Sequence, residues 1–162
     1  MGYTATMWLG FGEALAAVAG ALTGLLFVAV SVKGEALAAS RSLSSRAGQT
    51  LVLFMTSVLI AVFLVAPQPP AALGAELLAV AVVSGILLLI LDRRAGHATR
   101  PGVARYVERF SPNTITAVLV GVAGLTFLLK AGGGLYWLIP AAVTSLAGGV
   151  VNAWQFLVRV TS

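Results

Sequence analysis

Only five acidic residues serve this chain of 162, and Glu13 stands where a carboxylate is costly. It lies five residues past Trp8 in a long apolar run, roughly 7 Å below that aromatic at 1.5 Å of rise per residue. An ionised carboxylate near mid-bilayer costs on the order of 2–3 kcal/mol on insertion scales, and less near the surface. Such a group has to face protein or water, so Glu13 reads as a cation or proton site on a wet interior. The plainer reading is a carboxylate that snorkels to the nearer interface or pairs structurally. Glu76 opens the third apolar run, where a first-turn carboxylate suits the helix dipole; Lys130 closes the fourth and suits the opposite pole. Glu13, Glu76 and Lys130 would then form a polar cluster at one membrane face. Asn152 and Gln155 flank Trp154 in the fifth run. Amides there either line a pathway or make interhelical hydrogen bonds of about 0.6 kcal/mol.

Much chemistry is excluded. Cysteine is absent, which removes disulfides, thiolate catalysis and thiolate metal sites. His97 is the sole histidine and sits in a charged loop, so no metal site is expected. No nucleophile elbow, phosphate loop, zinc-protease pair or glycine-rich dinucleotide turn occurs. The expectation is a protein without catalytic residues or cofactors, and not an enzyme. The net charge of +5 is no nucleic-acid footprint either, because its basic residues flank apolar runs and form no water-exposed face.

The elements that must position these residues are membrane spans. The chain is 59% apolar and only 9% charged, with a mean hydropathy of +1.01. A soluble surface carries about 25% charged residues, so this inventory cannot face water. One all-α transmembrane domain over residues 1–162 is expected, with spans at about 8–32, 49–66, 71–91, 113–130 and 135–158. Ser44 or Ser45 is the expected cap if the second span starts early, and Pro67-Gln68-Pro69-Pro70 ends it. Asp92-Arg93-Arg94 closes the third, and Ser111-Pro112 opens the fourth. Gly132-Gly133-Gly134 makes a tight reversal, and Pro140 is expected to kink the last span.

Lysine and arginine fix the orientation. Lys33, Arg41, Arg46, Arg93, Arg94, Arg100, Arg105, Arg109 and Arg159 fall on one side, and Lys130 alone on the other. The positive-inside rule then puts the amino terminus outside and the carboxyl terminus inside. Val103, Tyr106, Val107 and Phe110 recur at helical spacing, which predicts a short interfacial cytoplasmic helix between spans three and four. Lipid tails drive no hydrophobic association, so close packing of small residues must hold the bundle. Gly12, Ala16, Gly20 and Gly24 in the first span, and Ala141, Ser145 and Gly149 in the fifth, supply the expected packing faces.

Four segments resemble a family of small bacterial multispanning membrane proteins of unassigned function. They are Ala21-Leu22-Thr23-Gly24-Leu25-Leu26-Phe27-Val28-Ala29-Val30-Ser31, Arg46-Ala47-Gly48-Gln49-Thr50-Leu51-Val52-Leu53, Ala72-Leu73-Gly74-Ala75-Glu76-Leu77-Leu78, and Gly132-Gly133-Gly134-Leu135-Tyr136-Trp137-Leu138-Ile139-Pro140, with Asn152-Ala153-Trp154 behind. Some members are labelled modulators of a membrane-bound ATP-dependent protease. The resemblance implies a bacterial plasma-membrane location and brings no catalytic residues. The functional expectation is a homo-oligomer with a channel-like or small-solute pathway lined by Glu13. The alternative is a non-conducting accessory or scaffold subunit of a larger membrane complex.

Overall fold

A computed structural model of the protein describes residues 2–32, 34–94 and 112–161, and every regular element among them is helical. A 3-10 turn, Ala5–Trp8, leads into α1, Leu9–Val32. The short α2, Gly34–Ala39, precedes α3, Arg41–Val65, and α4, Pro70–Arg94. Helix α5 is Pro112–Leu129; a second 3-10 turn, Gly134–Trp137, then leads into α6, Leu138–Thr161. Four of these helices are long and apolar enough to cross a membrane, and α5 is apolar but shorter. By length and composition the chain is a multi-pass helical membrane protein. The interfacial helix expected around Val103 to Phe110 lies outside the described residues, as do Lys33 and His97.

Helices α3, α4, α5 and α6 form a ring in which each packs on its chain neighbour and α6 closes back on α3. Helix α1 lies outside this ring, mainly against α3. Only 22% of its apolar window is buried, against 50% for α3. The buried stripe of α1 is Gly12, Leu15, Ala19, Thr23 and Leu26, spaced by three and four residues as one helical face requires. Its other face, with Leu25, Phe27 and Val28 more than half exposed, would be a liability in water and is unremarkable in hydrocarbon.

Helix ends follow the local chemistry, with three departures from expectation. Pro70 takes the first position of α4, where its missing N–H costs nothing, and Gln68 Nε2 donates to the Phe63 carbonyl past the end of α3 (2.8 Å). The first departure concerns Ser44 and Ser45, which cap nothing. Helix α3 starts at Arg41 behind Ser40, and Ser45 inside it donates across to the Leu91 carbonyl. The second is Pro140, which falls in the first turn of α6, where backbone N–H groups have no intrahelical partner anyway. The third is Glu76, which lies in the second turn of a helix whose first turn holds no acid, so the dipole reason for its presence lapses.

The three glycines make the expected reversal, with φ of 77°, 109° and 58°. The amino-terminal segment clamps this turn: Leu135 N–H donates to the Gly2 carbonyl (2.9 Å) and Gly133 N–H to the Tyr3 hydroxyl (2.9 Å). Trp8 joins the clamp edge-on to Phe11 and Tyr136 and is buried. Helix α5 ends in a Schellman motif. Ala131 N–H donates to Thr126 O and Lys130 N–H to Phe127 O, with Lys130 left-handed at φ 52°. A left-handed lysine is strained, so Lys130→Gly should stabilise the protein by about 0.5–1 kcal/mol, net of the lost charge at the helix end. Lys130→Val should destabilise it by a similar amount; thermal unfolding in mild detergent reads both, and equal midpoints would dismiss the strain.

Candidate functional site

The aromatic end of the bundle holds Glu13, Glu76 and Lys130, but the structure keeps them apart. Glu13 is exposed in an open groove between α1 and the end of α3, beside Ala16, Val62, Val65 and Pro67. Glu76 borders a different groove, between α3 and α4. Lys130 is exposed beyond α5. No hydrogen bond or ion pair joins the three among the described residues.

Of the packing residues, Gly12 is pressed against Leu64, Val65 and the Ala61 carbonyl, and Ala16 is half-buried against the core. Gly20 and Gly24 face open space, where an added Cβ would meet nothing within 4 Å. Ala141, Ser145 and Gly149 are all buried. Ser145 donates to the Leu53 carbonyl (2.6 Å) and accepts from the Ser57 hydroxyl (3.1 Å), tying α6 to α3. Helices α4 and α5 meet through Gly74 with Gly124, Ala81 with Gly121 and Gly85 with Ala117.

The densest polar arrangement lies at the opposite, arginine-rich end. Asp92 Oδ1 on α4 accepts from Gln49 Nε2 on α3 (2.6 Å) and from Asn113 Nδ2 on α5 (3.4 Å). Gln49 and Asn113 are 6% and 3% exposed, so their amides depend on protein partners. Beside them Arg46 Nη1 donates to Gln155 Oε1 on α6 (2.7 Å). Gln49, Asp92 and Asn113 thus tie α3, α4 and α5 together, and the separate Arg46–Gln155 pair ties α3 to α6. Gln155 is exposed where it takes this bond from Arg46, and Asn152 is half-buried. The sequence signal for the rest was their shared depth: Gln49, Asp92 and Asn113 each mark a span boundary at one membrane face.

The ring interior is closed. Ile60, Leu64, Leu73, Leu77, Val120, Leu135 and Leu138 belong to one core and are at most 2% exposed. Every buried hydroxyl among the described residues has a partner; Thr23, Thr50 and Thr56 bond the carbonyl four residues back, and Thr116 pairs with Thr144 across α5 and α6. Among the described residues no group of three His, Cys, Asp or Glu could hold a metal ion. No family model, curated protein or solved structure matches the chain.

Proposed function

We propose that the protein is a homo-oligomer in a bacterial plasma membrane, whose copies meet through the free face of α1 and enclose a narrow pathway beside Glu13. The amino terminus is outside and the carboxyl terminus inside, on the nine-to-one division of basic residues. The observation that carries the reading is the outward face of α1. Gly10, Ala17, Gly20 and Gly24 are exposed away from the buried stripe, and Glu13 is exposed at the edge of that face, in the groove beside the end of α3. Small residues let a neighbouring helix approach, and a membrane-depth carboxylate needs a polar neighbour or water. The ring interior is packed and its hydroxyls are already paired, so the conduction path runs between chains.

A second reading rests on the same face. Between Glu13 and Ser31 it carries only Ala17, Gly20, Ala21, Gly24 and apolar residues, which suits helix packing better than a water column. A non-conducting accessory subunit, docked on a foreign helix, would need nothing more. Native mass in mild detergent and cation flux into liposomes separate the two. A ring mass, with flux reduced at least about tenfold by Glu13→Gln, is expected of the pathway; one bonding interaction with an ion supplies that much. Absence of flux from both proteins would end the conduction reading. A foreign subunit retained in stoichiometric amount would favour the accessory role.

A further inference from the structure

We infer that the groove between α3 and α4 is a lipid-binding site, holding one acyl chain and a primary-ammonium headgroup whose cation sits on Glu76. The groove has a volume of about 370 Å³, within the range of ordinary ligand sites. It runs from Phe63 and Glu76 to Leu51 and Leu87. The twelve steps of helical rise from Leu51 to Phe63 make it about 18 Å long. A flexible hydrocarbon chain suits a cleft of this length, which narrows where α3 and α4 touch at Gly48 and Leu91.

Its polarity is confined to one end. Thr56 and Ser84 are the other polar residues of the lining, and both give their hydroxyls to their own helix. That leaves Glu76, whose Oε2 is shielded from solvent and has no hydrogen-bond partner. A buried carboxylate oxygen left unpaired costs more than an uncharged group would. Nor does the helix dipole reach the second turn to offset it. A primary ammonium brings positive charge and three N–H donors, whereas a quaternary ammonium brings charge alone. The membrane carries the former as ethanolamine headgroups, joined to the acyl chains that the rest of the groove suits.

The test uses the full-length, delipidated protein in mild detergent and native mass spectrometry. Three lipids with identical acyl chains are offered, bearing ethanolamine, choline or glycerol headgroups. Ethanolamine lipid should be retained about tenfold better than choline lipid, the usual worth of a charge-assisted hydrogen bond. Glu76→Gln should bring the two near parity. Val83→Trp, at the exposed mouth of the groove, should weaken all three and provides a second variant if Glu76→Gln does not fold. Equal retention of ethanolamine and choline lipids by the natural sequence would overturn the site. So would a preference that survives Glu76→Gln, or binding untouched by Val83→Trp.

Discussion

Gly149→Leu should cost at least about 3 kcal/mol and leave little folded protein in detergent, at the upper end of what overpacking a filled interior costs. A Cβ at Gly149 would fall 2.3 Å from Phe54 Cε1 and 2.9 Å from two further ring atoms. The ring cannot swing aside, because Phe54 is 2% exposed and wedged with Leu26 and Ala47. Any side chain there must push α6 away from α3, which also pulls Ser145 from the Leu53 carbonyl. Gly149→Ala should cost about 1–2 kcal/mol, and pairing it with Phe54→Leu should recover part of that loss. Gly20→Leu is the control. Its Cβ meets nothing within the chain, and leaving glycine in a helix interior gains up to about 1 kcal/mol of propensity. Unfolding of the monomer should therefore hardly notice it, while a complex assembled through α1 would come apart. If both leucine variants unfolded the monomer alike, α1 would not lie where it does.

Why the sequence distinguished these glycines poorly is a matter of geometry. Spacing of four names a face but not what lies opposite. Gly12, Ala16, Gly20 and Gly24 form as regular a stripe as Ala141, Ser145 and Gly149, yet only the second is covered along its length. The α1 face that does pack, with Leu15, Ala19 and Leu26, is ordinary apolar sequence. In a bilayer, apolar residues suit lipid and protein alike, so hydropathy shows where a helix crosses and says little about which side it buries. Span positions were legible for the same reason in reverse: length and the Pro67–Pro70 and triglycine breaks answer to hydrocarbon thickness and backbone freedom. The start of α3 was not, since Arg41 to Gly48 are too polar to read as span but still propagate the helix.

Polar residues were legible by depth and illegible by pairing. Glu76 sits near the start of its helix as read, but as the sixth residue of the span expected from 71, and the seventh of α4, it already lies past the dipole's reach. Arg46 and Gln155 are separated by 109 positions and meet because α3 and α6 are neighbours in the ring. No local pattern encodes that adjacency. The Asp92 cluster is the strongest case, since its three members look like unrelated boundary markers until the helices are assembled.

Asp92→Ala should lower stability by about 2–4 kcal/mol, through the amides it strands more than through the charge it removes. Gln49 Nε2 and Asn113 Nδ2 both donate to Oδ1, and both side chains are buried. A buried donor left without an acceptor costs about 1–3 kcal/mol, and this substitution leaves two. The loss should fall short of the full sum because Asp92 is itself half-exposed, so water can enter the space the carboxylate vacates. Asp92→Asn separates the two causes. It removes the charge yet keeps an oxygen at the same place, so it should cost less than half as much as alanine. Equal losses would assign the effect to the carboxylate charge, and no loss from either would mean the cluster does not hold the ring together. Gln49→Leu combined with Asn113→Leu gives the complementary measurement. With both donors gone, the cost of Asp92→Ala should shrink by what the two stranded amides contributed, leaving what the other contacts of Asp92 are worth.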